Sequence, residues 1–325
     1  MKIKHLQAPA DTFDVVLPAN KRFDAVGFGL NAVDYLCVVP HYPRFDSKTR
    51  ILHYERLAGG QVATAMAFLA RMGLKGKYIG KVGSDEVGQF SLQSLKSENI
   101  DTSSVAVEPD SRNQYAFIII DKNSGERTIL WDRDDKLNYK CEEIARKDIC
   151  AGKLLYLDGH DHVAAIQAAE WAQSEAIPVV IDLDKVVPET EKLISQVDFL
   201  ITSSNFPPEF TGIDDPIESL LSLRNFCGGF IAMTLGAQGA MAVVNGACVR
   251  FPAFKVHAVD TTGAGDIFHA GFMYGLLQNW PLEMIMAFAN AAAGLNCTHL
   301  GARGGIPPLG EIMQLVGLRE PHKVV

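Results

Sequence analysis

The chain has 325 residues and a formal net charge of -8, with 48% hydrophobic and 21% charged residues. That much apolar material excludes global disorder. An acidic balance with no basic block gives no means of attraction to nucleic acid or anionic lipid, so any phosphorylated cofactor must be held by a local site of backbone donors and a few cations.

The length fits one large α/β domain carrying an insertion as well as it fits two domains. The six cysteines, Cys37, Cys141, Cys150, Cys227, Cys248 and Cys297, form no C-x-x-C pair and no zinc spacing, which suits buried thiols in a reducing compartment. The opening stretch MKIKHLQAPADTFDVVLPANKRF has no apolar core of a secretory signal. No uncharged run reaches the roughly 18 residues of a membrane span. A soluble cytoplasmic protein is expected, with residues 1–22 as an arm and 23–325 as the folded domain.

In chain order, FDAVGF begins as a buried strand, Phe23 to Phe28, with Asn31 and Asp34 following where it ends. A polar stretch alternates in strand fashion around Arg50 to Arg56. QVATAMAFLARMG, Gln61 to Gly73, is a small-residue helix stopped by glycine. KYIGKVG reads as a strand and EVGQFSLQSLKSENI as an amphipathic helix. NQYAFIIIDKNSGERTILWDRD, Asn113 to Asp134, breaks the alternation as a hairpin around KNSG, a flap added to the sheet. The early polar strand could pair with it. Then KLLYLDG, IPVVIDLD and DFLITSS read as strands, with helices HVAAIQAAEWAQSEA and PETEKLISQV between them. GGFIAMTLGAQGAMAVVNG is two strands about a Gly turn, and helices follow over Asp266 to Leu277 and Leu282 to Leu295. Strand–helix alternation of this kind builds a largely parallel sheet.

The chemistry concentrates in VDTTGAGDIFHAGF. Gly263, Ala264 and Gly265 open a dense apolar helix with Asp266 in its first turn. A helix start offers unpaired N–H groups and partial positive charge, and small residues let a phosphate approach them. Asp266 at the same end can take a proton from an attacking hydroxyl.

DTTGAGDIFHAGF resembles the second signature of the ribokinase/PfkB sugar-kinase family. AGGQVATAMAFLARMG resembles the first, MTLGAQGAMAV the nucleotide-site segment, and FANAAAGLNCTHLGARGGIP the last long helix with its following loop. The likeness runs in order over nearly the whole chain from Phe23. It implies a three-layer α/β/α ribokinase-like sandwich with a small discontinuous β-sheet lid, inserted as segments of about 34–57 and 110–135.

By the same resemblance Asp266 matches the catalytic base, and Gly263, Ala264 and Gly265 the anion hole. Asp34 matches the acid that grips sugar hydroxyls, with Asn31 close by, and Gly59 and Gly60 the pair over which sugar lies. Thr234, Gly236 and Gly239 match the ATP-binding turn, and Asn290 falls where members line the adenine pocket. Asp260 and Thr262 match positions that hold a monovalent cation, K+, in many members. ATP and Mg2+ are the implied cofactors, and a homodimer through the lid the implied assembly.

Two positions depart from the pattern. The first signature commonly ends in a substrate-binding Asn, and here Thr64 stands there. The N-x-x-E motif linked to magnesium should fall in ITSSNFPPEFTG, where Asn205 and Glu209 are one residue too far apart; alignment from the following TG puts Ser203 and Phe206 there instead.

Other residues stay open between site and scaffold: His160 or Asp161 in DGHD, where strand ends bind ligands in α/β folds; Arg127 and Arg133 near an acidic sugar substituent; His269 as a core histidine; and Arg303 near the ATP phosphates. GFGLN lacks the spacing of a dinucleotide fingerprint. The reading is an ATP-dependent sugar kinase, with a ketohexose or modified sugar favoured by the lid segments. A nucleoside kinase of adenosine type and a non-catalytic sugar sensor are the alternatives.

Overall fold

A computed structural model describes residues 15–317. In chain order the elements are β1 (Ala25–Phe28), β2 (Ala32–Val39), β3 (His53–Gly59), α1 (Gln61–Arg71), β4 (Gly76–Ile79), β5 (Lys81–Gly83), α2 (Glu86–Ser97), β6 (Ala106–Glu108), β7 (Tyr115–Asp121) and β8 (Arg127–Asp132). They continue with α3 (Arg146–Ile149), β9 (Leu155–Asp158), α4 (His162–Ser174), β10 (Val179–Leu183), α5 (Thr190–Ile194), β11 (Phe199–Ser203), α6 (Phe206–Thr211) and α7 (Pro216–Ser222). The last are β12 (Phe230–Thr234), β13 (Ala240–Val244), β14 (Ala247–Phe251), α8 (Ala264–Leu277), α9 (Leu282–Asn296) and α10 (Leu309–Gly317).

Eight strands form the main sheet in the order β14-β13-β12-β11-β10-β9-β1-β4. From β12 to β4 all pairs are parallel; β13 and β14 join antiparallel at one edge. The central strands are buried on both faces, as VVIDL of β10 shows, because helices cover each side. On one face α1, α8 and α9 build a core with Phe68, Phe272, Phe288 and Ile267 fully buried. On the other, α4 and the segment around α7 pack Ala165, Ala168, Ala169, Leu220 and Leu223 against the sheet. This is the expected three-layer sandwich. Gly271 lets α8 meet α9 closely, since a Cβ there would lie 2.9 Å from the Ala289 Cα. Truncating a fully enclosed ring such as Phe272 to alanine would cost about 3–5 kcal/mol.

The lid is a separate four-stranded sheet, β3-β2-β7-β8. The hairpin β7–β8 is antiparallel, and β2 bridges it to β3, parallel to β7 and antiparallel to β3. Asn31 and Asp34 were expected to follow where the first strand ends, with a lid segment taking up from about residue 34. In the structure, Asp34 lies inside β2, whose AVDYLCVV run is itself a lid strand. KYIGKVG is likewise two strands: β4 ends at Ile79 and, after Gly80, β5 pairs with β6 in a two-stranded sheet. A Cβ at Gly80 would lie 2.1 Å from the Tyr78 hydroxyl, so the chain can turn out of the main sheet only over a bare backbone.

Residues 1–14 of the expected arm lie outside the described residues. The arm's remainder is tied down: Lys21 Nζ donates to the Cys150 carbonyl and to Glu175, both at 2.9 Å. All six cysteines are free thiols. No helix among the described residues is long and apolar enough to cross a membrane.

Candidate active site

The parallel strands all end on one side of the sheet, and four of them carry a polar residue at or next to that end: Asp158 on β9, Asp182 on β10, Ser203 on β11 and Thr234 on β12. Ligands of open α/β sheets bind outside such carboxyl ends. Two cavities meet there. One, about 490 Å³, lies between sheet and lid and is lined by Asp34, Gly60, Gln61, Trp131, Asp182, Gly263, Gly265 and Asp266, among others. The other, about 480 Å³, is lined by Gly236, Gly239, Phe254, Asn290 and Cys297. Thr234, Thr261, Ala264 and Gly265 line both. The Gly-Ala-Gly turn is therefore the wall they share.

Gly263 caps α8 with φ 75°, a conformation glycine adopts without strain, and its missing Cβ lets it pass Ala302, whose Cα would lie 2.6 Å from one. The Ala264 N–H bonds to the Thr261 carbonyl at 3.2 Å, while the first-turn N–H groups of Gly265 and Asp266 have no intrahelical acceptor. The loop ahead is buckled by Asp260. Its Oδ1 accepts from the Thr262 N–H (2.9 Å) and hydroxyl (2.7 Å), and its Oδ2 from the Gly301 N–H (2.8 Å). Both oxygens of the expected cation ligand thus hold loop donors.

Asp266 faces the lid-side cavity. Burial pushes its carboxyl up to about 7, and the nearby Asp182 adds to the rise. Asp182 is itself held well above the usual carboxylate range by burial. It accepts from Gln61 Nε2 at 3.3 Å and lies 3.6 Å from His269 Nε2. His269 reaches the Gly265 carbonyl at 2.7 Å and the Ile201 carbonyl at 3.2 Å; this core histidine ties the Gly263–Gly265 turn to β11.

Asp34 enters the same cavity from the lid strand, and burial raises it to about 6 against the pull of Arg303. Gly60, at φ 89°, starts α1 across from Asn31, where a Cβ would lie 2.4 Å from the Asn31 Cα. Asn31 itself was expected near the substrate. The structure gives it a scaffold post: Nδ2 donates to the Tyr78 hydroxyl and the Lys81 carbonyl, both at 2.8 Å, and Oδ1 accepts from Ser91. Thr64 is fully buried, with its hydroxyl taken by Arg303, and Gly59 packs behind Asp34. Neither lines the cavity.

On the nucleotide side, Gly236 (φ 54°) and Gly239 (φ 90°) turn the chain between β12 and β13, and Asn290 Nδ2 donates to the Phe251 carbonyl at 3.2 Å. Glu209 disappoints the magnesium expectation. It sits exposed on α6, after the N-cap Asn205, and lines neither cavity. In the alternative alignment, Ser203 does line the lid-side cavity and Phe206 is buried.

Arg127 of β8 lines the lid-side cavity and donates to the Thr261 hydroxyl. Arg133 is instead a clamp, bonding the Leu137 carbonyl at 2.9 Å and facing Asp161 at 3.5 Å. His160 lines the cavity beside Asp158. Arg303 lies on the sugar-side flank and not at the nucleotide pocket. Sequence reasoning missed Gln61, Trp131, Asp182, Asp184 and Lys185. The strand-end rule applied to DGHD, carried to IDLDK at the end of β10, would have found three of them.

An α/β sheet with two cavities joined at a glycine turn, one of them under a lid and holding a carboxylate at a helix start, defines a phosphotransferase. Residues 25–308 match the pfkB family carbohydrate kinase profile, so the chain belongs to that family. It is 26% identical over 329 residues to the 5-dehydro-2-deoxygluconokinase of Lacticaseibacillus casei, covering 94% of this chain and 98% of that one. A crystal structure from Agrobacterium tumefaciens, provisionally assigned as a ribokinase, superposes with a TM-score of 0.85 at 27% identity over 91% of this chain and 98% of that one. Arabidopsis thaliana ribokinase, complexed with ribose and ATP, has the same fold with a TM-score of 0.75 at 19% identity over 90% of this chain and 98% of that one.

Proposed function

We propose that this carbohydrate kinase moves the γ-phosphoryl group of ATP onto a hydroxyl of a keto-sugar, either a ketohexose or an oxidised keto-sugar bearing a carboxylate. ATP occupies the cavity lined by Thr234, Gly236, Gly239 and Asn290, and sugar the cavity under the lid. One observation carries the reading: Asp266 stands where the two cavities join, beside the turn common to both.

The acceptor hydroxyl gives its proton to Asp266, and its oxygen attacks the γ-phosphorus as the bond to the β-phosphate oxygen breaks. The Gly263-Ala264-Gly265 turn presents the N–H groups of Gly265 and Asp266 to the charge that develops. Asp34 accepts hydrogen bonds from sugar hydroxyls. Among the described residues no group of three or more metal-ligating side chains is preassembled. Magnesium bound with ATP would supply charge neutralisation to its phosphates. The exposed cavity carboxylate Asp184 is the side chain suited to meet it. Asp260, whose oxygens are taken by Thr262 and by Gly301 of the segment after α9, gives potassium no particular support.

Two observations support the substrate class. The relative cited above is named for a gluconate derivative. The cavity also carries two exposed cations, Arg127 and Lys185, the latter 4.8 Å from the centre of the Trp131 ring. The outer lid face supports a homodimer: Tyr35 stacks on Tyr54 and Phe117 at 6.3 and 5.2 Å, and Tyr54, Phe117 and Leu130 are exposed. Free thiols and an ATP requirement suit a cytoplasmic enzyme.

The test is ADP release over D-fructose, 5-dehydro-2-deoxygluconate, D-ribose and adenosine, with Asp266→Asn as control. A keto-sugar that drives turnover, with that rate falling by about 10²–10⁴ in the variant, supports the reading. Turnover driven by adenosine, or an equally fast Asn variant, overturns it.

A further inference from the structure

The loop after α9 carries a guanidinium into the interior. Arg303 is 6% exposed, and its three nitrogens donate in three directions. Nε reaches the Thr64 hydroxyl of α1 (3.3 Å), Nη1 the Ser94 hydroxyl of α2 (3.2 Å) and Nη2 the Gly59 carbonyl at the end of β3 (2.7 Å). The Arg303 carbonyl in turn accepts from Arg71 Nη1 at 3.0 Å, and Arg71 is paired with Glu98.

None of the three acceptors is a carboxylate. A buried charge ordinarily has a direct counter-ion, yet here neutral oxygens fix the group in place and leave its charge uncancelled. Burial lowers Arg303 to about 10, so it stays cationic at neutral pH; Asp34 does most to oppose that fall, ahead of Glu98, Tyr78 and Asp266. Seen from Asp34, Arg303 is the one cation opposing the rise that burial and Asp260 produce. Geometry joins the two residues as well. The Gly59 carbonyl takes the shortest Arg303 bond, and a Cβ on Gly59 would lie 2.1 Å from Asp34 Oδ2.

We propose that Arg303 is a positioning residue for sugar: its fork, held by Thr64 and Ser94, pins the Gly59 backbone against Asp34 and so sets the carboxylate that accepts sugar hydroxyls. The inference rests on the reading of Asp34 given under Proposed function. It also explains Thr64. A short hydroxyl at that position meets Nε and leaves room for a guanidinium between α1 and α2.

The experiment is calorimetric binding of D-fructose and of 5-dehydro-2-deoxygluconate to the full chain between pH 5 and 9, alongside ATP binding. It compares wild type, Arg303→Met, Arg303→Lys and Thr64→Val, each checked for folding by its melting curve. Binding is read in place of turnover so that titration of Asp266 as a base does not enter. In Arg303→Met, sugar Kd should rise about tenfold and the acidic midpoint of binding should move up by about one pH unit, because Asp34 loses its only opposing cation. ATP Kd should change less than about twofold, and Arg303→Lys should recover the midpoint better than the affinity, since lysine restores charge without the fork. Should Arg303→Met not fold, the lysine and Thr64→Val variants decide, with weaker sugar binding expected in both. An unmoved midpoint, or sugar and ATP weakened alike, overturns the proposal. If neither sugar binds wild type, the keto-sugar reading itself falls and this inference with it.

Discussion

Asp182 lies beside Asp266 at the end of β10, and its charge joins burial in holding the Asp266 carboxyl up to about 7. A like charge nearby disfavours ionisation of the second carboxyl. His269, 3.6 Å from Asp182 and bonded to the Gly265 carbonyl, offsets part of the effect.

A base acts only when deprotonated, so kcat/KM for sugar should rise with pH through about 7, the value for Asp266. Asp182→Asn removes the like charge and should move that limb to lower pH, by a few tenths to about one unit. A pH profile of both enzymes checks this; an unmoved limb would remove Asp182 from the account.

The same raised pKa makes a stability prediction. Asp266 binds its proton more tightly folded than unfolded, where a free carboxyl titrates at 3.8. The native state is therefore favoured fully below about 3.8 and loses that advantage as pH rises through about 7. Asp266→Asn carries no charge to bury. It should melt above wild type at pH 8, with the gap closing toward pH 4, while losing activity. Melting curves at the two pH values decide it, and a variant less stable at pH 8 would contradict the burial argument.

Much of this was legible in the chain because local rules and global fold agree. Short apolar runs between helical patterns marked the sheet strands, glycine stops marked the ends of α1 and the β12–β13 turn, and GAGD at the head of an apolar helix marked the Gly263–Gly265 turn. What escaped depends on contacts far apart in sequence. The family resemblance began a lid segment at about residue 34, but the pairing of AVDYLCVV with β7 and β3, which makes it a strand, is not written in the run itself. Asn31 has the chemistry of a sugar ligand, yet Tyr78, Lys81 and Ser91 use up its side chain. Glu209 fails because α6 turns it to solvent, a matter of helix phase that spacing alone could not fix.

Arg127 links lid to anion turn through the Thr261 hydroxyl. It is exposed, so Arg127→Ala should leave stability within about 0.5 kcal/mol of wild type. Its loss uncouples β8 from the turn and removes a cavity cation. kcat/KM for sugar should fall about 10- to 100-fold, at most about 2.7 kcal/mol of transition-state binding. Urea unfolding and steady-state kinetics on one preparation separate the two effects. A large stability loss would recast Arg127 as a structural clamp like Arg133.

Gly263 and Gly265 make the sharpest pair. Gly263 has φ 75° and would press a Cβ to 2.6 Å from the Ala302 Cα, whereas Gly265 has ordinary helical backbone and nothing within 4 Å of a Cβ. Gly263→Ala should therefore be destabilised by roughly 1–3 kcal/mol from backbone strain, before any clash is added. Gly265→Ala should be neutral or more stable by up to about 1 kcal/mol, as expected for alanine replacing glycine in a helix. Its methyl, however, projects into the space shared by both cavities, where the transferred phosphoryl group must pass. Activity should drop about 10²-fold or more with the fold intact, as when an oxyanion-hole donor is lost. Chemical denaturation and turnover of the two variants test the turn directly. If Gly265→Ala keeps wild-type turnover, the open space beside Gly265 is not where phosphate sits, and the anion turn must be sought elsewhere on α8.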